Sequence, residues 1–193
     1  GPSALPAQPT LRLAVAAVNS PRGTLDTYQE LVDYLAARLN ISGQLIQGKT
    51  YAEINDLVRD GDATLAIVCA NPYVEGQEDF GMEALAVPQV GGTATYYSYL
   101  IVPTSSTATR LDDLRGKTFA FADPLSNSGR LVIVYQLALQ GQTSDAFFRR
   151  YIFTYSHDNS IKAVADGLVD GAAVDSLVYD YLVSRDGEGA AST

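Results

Sequence analysis

Buried-strand runs alternate with helical repeats along this chain, and that alternation places it in the α/β class. Residues 11–18 form an almost continuous apolar and β-branched run, the pattern of a parallel strand covered on both faces. The turn chemistry of residues 19–23 (NSPRG) breaks it. Tyr28, Leu31, Val32, Leu35, Ala36 and Leu39 then recur at helical spacing, with Thr27-x-x-Glu30 as a capping box and Asn40 and Gly43 near the stop. A short strand at 44–47 completes a βαβ unit, whose crossover should be right-handed.

The same grammar returns twice. Thr50-x-x-Glu53 is a second capping-box pattern, Ile54, Leu57 and Val58 line one helix face, Gly61 ends it, and a strand follows at 64–68. Further on, Ile161, Val164 and Leu168 share a helix face, Gly167 lies near its end, and 171–174 reads as a strand. Helix-starting turns come next, at Asn71-Pro72 and at Asp175-Ser176. This weak similarity is what two lobes of like build would leave, and its spacing is too loose for a solenoid. Strands are expected between the halves at 85–90 and 96–102, with the second acting as a hinge and the boundary near Tyr99. Lobe 1 is thus 11–98 and lobe 2 is 99–183. Within lobe 2, short helices are expected at 109–114 and 144–150, and a strand at 152–155. Residues 1–10 read as a protease-cleavage remnant with a linker, and 184–193 as a polar tail or a truncated return to lobe 1.

The most pointed stretch is Asp123-Pro124-Leu125-Ser126-Asn127-Ser128-Gly129-Arg130, between the strand-like run 118–121 and the helix-like run 131–140. Ser and Asn at the head of a helix are ordinary caps. They also form an anion seat, because the helix dipole and the free backbone N–H groups attract negative charge without lysine or arginine. The formal charge of −9 makes nucleic acid and anionic membrane surfaces poor partners. It does not exclude an anion held by dipoles and neutral donors. One cysteine, Cys69 in the strand-like 64–70, excludes an internal disulfide and a thiolate zinc cluster; it reads as a small buried hydrophobe. No apolar run is long enough to span a bilayer.

Two later stretches join the motif: Tyr155-Ser156-His157-Asp158-Asn159, with the only histidine, and Gly171-Ala172-Ala173-Val174-Asp175, a strand ending in a carboxylate. Together the three resemble the phosphate, phosphite and phosphonate family of solute-binding proteins that serve ABC importers. The likeness covers about residues 11–181, and its most specific part is D-P-x-S-x-S-G followed by S-H-[DE]. It implies a two-lobed periplasmic-binding-protein type II fold. Members of that family are generally longer, so the first lobe here is either incomplete or that of a short variant.

The resemblance also implies an extracytoplasmic protein, periplasmic or a cell-surface lipoprotein, that hands a small tetrahedral oxyanion to a permease and needs no cofactor or metal. Its ligand-binding residues would be Tyr51, Tyr96, Ser126, Asn127, Ser128, His157 and Asp175. His157 would complement an oxyanion as a donor, and Asp175 would accept a proton from a P–OH group. Leu177 falls where aminophosphonate binders place an acidic group, so a cationic tail would find no counter-charge. The alternative role is a sensor module fused to a membrane signalling domain. Ser128, His157 and Asp175 could be drawn as a hydrolase triad, but there is no G-x-S-x-G elbow and the order differs from that of the α/β-hydrolases, so no enzymatic activity is expected.

Overall fold

Two separate sheets divide the chain in this computed structural model, which describes residues 9–190 except residue 20. The first sheet contains β1 (Thr10–Val15), β2 (Ser42–Gln47) and β3 (Leu65–Ile67), all parallel in the order β2-β1-β3. Its helices are α1 (Pro21–Leu39), α2 (Tyr51–Arg59) and α3 (Ala70–Phe80). The second sheet has the order β4-β7-β5-β6, from β4 (Ser98–Ile101), β5 (Thr118–Phe121), β6 (Arg150–Phe153) and β7 (Gly171–Asp175). In it β5 runs parallel to β6 and β7, while β4 is antiparallel to β7. A 3-10 turn at Leu111–Leu114 and helices α4 (Val132–Leu139), α5 (Ser144–Phe147), α6 (His157–Ala165) and α7 (Ser176–Ala190) accompany these strands.

The continuous apolar run of β1 is explained by burial on both faces. Leu13 and Val15 pack against Val32 of α1, whereas Ala14 and Ala16 lie with Tyr51 and Ile54 of α2. In the second sheet, Phe119 and Phe121 pack with Ile133, Leu137, Phe147 and Phe148, and the Phe119 and Phe148 rings stack 4.4 Å apart. The opposite face, built from Ala120, Ala172 and Val174, receives Ala163 and Val164 of α6. Strand order reverses beside β1 in one sheet and beside β5 in the other. Such reversals open a crevice at the carboxyl ends of the strands.

The loops at those ends touch one another. The His157 N–H donates to Val18 O at 2.9 Å, and Asn71 Nδ2 donates to Leu125 O at 3.1 Å. Leu125 also packs into the Tyr51–Ile54 cluster of the first sheet.

Several elements differ from the sequence expectation. Residues 19–23 do not simply break the chain, because α1 begins at Pro21, where a missing N–H costs a helix nothing. The side chain of Thr27 and residues 1–8 lie outside the described residues. At α2 the capping box is half made: Thr50 Oγ accepts from the Glu53 N–H at 3.2 Å, but the Glu53 carboxylate accepts from Lys49 N–H at 2.6 Å. β3 ends at Ile67, because Cys69 becomes the N-cap residue of α3 instead of continuing the strand. Residues 85–90 form no strand; Pro88 cannot donate to a ladder, and no described strand lies beside the segment. Only a bridge between Val90 and Thr93 forms there. The helix expected at 144–150 stops at Phe147, and residues from Ser184 to Ala190 continue α7 instead of forming a tail, since a nucleated helix propagates easily.

Candidate functional site

The stretch from Asp123 to Arg130 folds as a π-helical turn, Asn127–Leu131, that leads into α4. Ser126 caps it: its Oγ accepts from the Gly129 N–H at 3.0 Å, and its carbonyl accepts from the Leu131 N–H at 2.9 Å. Asn127 and Ser128 therefore occupy a first turn, where main-chain N–H groups have no partner inside the helix. Ser128 is buried, and its carbonyl accepts from Ser98 Oγ at 2.6 Å.

His157 reaches the same place through a sharp turn after β6. Tyr155 takes φ of 59°, a conformation that costs a non-glycine residue energy and recurs at functional sites. Thr154 braces the turn, with Oγ donating to Ser156 O at 2.9 Å and sharing a 2.6 Å bond with Ser160 Oγ. His157 is then fully buried at the start of α6. Its Nδ1 accepts from the Asp175 N–H at 3.0 Å, so the neutral ring carries its proton on Nε2, 3.4 Å from Tyr51 Oη. Burial pushes the imidazole pKa down to about 4, with Asp158 acting in the other direction. The ring is a neutral donor at neutral pH.

Helices of the first sheet bring Tyr51 and Cys69 to this place, while Tyr96, just before β4, and Asp175, at the end of β7, come from the second sheet. Tyr51 is fully buried at the head of α2, and burial raises its phenol pKa well above the ordinary value. The Tyr96 hydroxyl is shielded from solvent without a hydrogen bond of good geometry; its surroundings include Asn127 and the Ala70 backbone. Cys69 is half-buried at the head of α3, and burial pushes its thiol up to about 12, so it stays protonated. Asp175 Oδ1 accepts from the Leu177 N–H at 2.7 Å, a helix-capping bond, and burial raises its carboxyl pKa.

All seven residues singled out from the sequence therefore meet. Tyr51 touches His157, His157 is bonded to the Asp175 backbone, Ser126 lies against Tyr51, and Asn127 lies against Tyr96, with Ser128 next in the turn. The Ser126 hydroxyl and one Asp175 oxygen are occupied by caps. Three neighbours escaped the sequence reading. Tyr28, assigned there only to a helix face, lies within electrostatic reach of Cys69 and Asp175. Cys69 was assigned to a strand interior, and the carboxylate of Asp123 had no assigned partner. Among the described residues no group of three histidine, cysteine or acidic side chains could hold a metal ion. Two surface hollows carry acidic side chains, one with Glu53, Asp56, Asp60 and Asp62, the other with Glu75 and Asp79 beside Arg59 and Leu125.

A family model for the periplasmic substrate-binding proteins of phosphonate ABC transporters matches residues 13–192. The chain belongs to that family. Its fold is the type II periplasmic-binding-protein fold. PhnD1 from Prochlorococcus marinus, solved in complex with methylphosphonate, superposes with a TM-score of 0.80 at 18% identity, over 93% of this chain and 68% of that one. The binding protein component of a phosphonate ABC transporter from Pseudomonas aeruginosa gives 0.82 at 21% identity, over 94% and 62%. The alkanesulfonate-binding protein SsuA from Xanthomonas axonopodis pv. citri, bound to MOPS, gives 0.57 at 18% identity, over 93% and 59%. This member of the phosphonate-binding family thus spans about two thirds of the length of the first two. Among its described residues no helix is long and apolar enough to cross a membrane.

Proposed function

We propose that this chain captures a small tetrahedral oxyanion, an alkylphosphonate such as methylphosphonate, outside the cytoplasm for delivery to an ABC permease, and that it carries out no chemistry on the ligand. The observation that carries this reading is a buried, neutral histidine whose Nε2–H faces a tyrosine hydroxyl beside the first turn of a capped helix. These donors are dipoles already oriented by the fold, so they can replace water around an anion without a counter-ion. An anion oxygen would take the place of Tyr51 Oη as acceptor of the His157 proton. The second Asp175 oxygen would accept a P–OH proton. The tyrosine side of the cleft would face a small apolar substituent, and Leu177 supplies no charge for an ammonium tail.

Calorimetric titration with methylphosphonate tests the assignment. Ser128→Ala and His157→Ala should each lose about 1–3 kcal/mol of binding free energy, the cost of leaving a buried polar partner unmatched. Aminoethylphosphonate should compete no better than methylphosphonate. Full affinity in both variants, or a marked preference for the amine, would refute the reading.

Tyr96 offers a separate prediction. Its hydroxyl is shielded from solvent and meets Asn127 and the Ala70 backbone only in poor hydrogen-bond geometry, so deleting it should cost little stability. Tyr96→Phe should melt close to the temperature of the parent, yet bind methylphosphonate more weakly. A lower melting temperature with unchanged affinity would assign Tyr96 to packing alone.

A further inference from the structure

We propose that Asp123 is a positioning residue of this site: its carboxylate, carried by the second sheet, holds the first turn of α2 so that the Tyr51 hydroxyl stays on His157. The inference rests on the anion-site reading above, and goes beyond it by assigning a role to a residue outside the proposed ligand donors.

The geometry divides the carboxylate between the two sheets. Asp123 follows β5 and is 1% exposed. Oδ1 accepts from the Leu125 N–H at 2.8 Å, within its own loop. Oδ2 accepts at 3.1 Å from the N–H of Tyr51, 72 residues away, at the head of α2. Helix heads leave N–H groups unmatched and favour negative charge. Thr50 Oγ serves the Glu53 N–H of this helix, and Asp123 serves that of Tyr51. The amide that Asp123 fixes and the phenol that meets His157 belong to one residue. The seam is completed by Leu125, which packs into the Tyr51–Ile54 cluster while its carbonyl accepts from Asn71 Nδ2.

A purely local role, closing the turn before Ser126, accounts for Oδ1 alone. It requires neither near-complete burial nor a second oxygen bound across the cleft. Burial raises the carboxyl pKa, while the two N–H donors and the Arg130 guanidinium draw it down. Asparagine cannot reproduce the arrangement, since it has one acceptor oxygen and would set an NH2 group against one of the two N–H donors.

Amide hydrogen exchange of the unliganded chain tests the positioning directly. In Asp123→Asn the Tyr51 amide should exchange at least about tenfold faster, as expected when a charge-assisted hydrogen bond is lost. Titration with methylphosphonate should show about tenfold weaker binding in Asp123→Asn, and the Asp123→Asn, Tyr51→Phe double variant should bind no more weakly than the weaker single variant. Unchanged exchange at Tyr51, or losses that simply add, would overturn the proposal. If Asp123→Asn does not fold, Asp123→Ser replaces it, because a hydroxyl can serve Leu125 but is one bond too short for Tyr51. A parent chain that takes up no methylphosphonate would refute the functional reading, and the exchange result would then decide the role of Asp123 by itself.

Discussion

Replacing Gly129 by alanine should destabilise the protein by about 1–3 kcal/mol, the cost of overpacking a filled interior, and remove most of its affinity for methylphosphonate. A Cβ at this position would lie 2.6 Å from Ala122 Cβ, 2.8 Å from Ser126 Oγ and 2.9 Å from His157 Cε1. None of the three can yield cheaply. Ala122 continues from β5, the Ser126 hydroxyl caps the π-helical turn, and the imidazole is held at Nδ1 by Asp175 and approached at Nε2 by Tyr51. Relief must come from moving the turn away from the ring, and that separates the two groups meant to share one anion. At about 2–4 °C per kcal/mol for a chain of this size, the loss should be visible in a thermal melt. Parental melting temperature and affinity in Gly129→Ala would show that the turn relaxes and that the close approach is not needed.

Lowering the pH from 6.5 to 4 should reduce stability through His157, by up to about 3 kcal/mol across the window at about 1.4 kcal/mol per pH unit. The sign follows from the direction of the shift. An unfolded histidine takes its proton near 6.5, whereas the buried ring takes it only near about 4. Above 6.5 neither state is protonated and the histidine contribution is fully present. As the pH falls toward 4 the unfolded chain gains a proton that the native site refuses, and the contribution is lost. Asp123 and Asp175 act with the opposite sign, because burial raises their pKa values and their native forms accept protons first. The histidine part is therefore isolated by difference. Urea denaturation of the parent and of His157→Gln should give stability profiles that converge as pH drops through this window, the variant being flatter. Parallel profiles would show that the ring is not held neutral. The same shift implies that anion affinity shows no histidine step near neutral pH.

The fold was legible because its signals are local. The apolar runs of β1, β5 and β7, and the helical spacing of Ile54, Leu57 and Val58, follow from backbone periodicities that a few residues specify. The errors were local too, at places where two signals compete. Pro21 reads as a breaker but also suits a first helical position, and Cys69 sits where a β-branched run meets a helix start. At residues 85–90 an apolar run resembled a strand, but strand formation needs a neighbour and unbroken N–H donors.

The chain by itself determined the candidate donors: Ser126, Asn127 and Ser128 at a helix head, and His157 after a strand, are placed by capping rules that act within about one turn. Only the tertiary structure decided what those donors face. The Tyr51–Asp123 bond spans 72 residues and the Tyr51–His157 contact 106, and no periodicity or capping rule extends so far. The tautomer of His157 likewise depends on the Asp175 N–H, brought to Nδ1 by the packing of α6 on β7. Local propensity sets each element, but burial of both sheets at once selects which carbonyl, carboxylate and ring lie within the 3 Å or so at which a hydrogen bond forms.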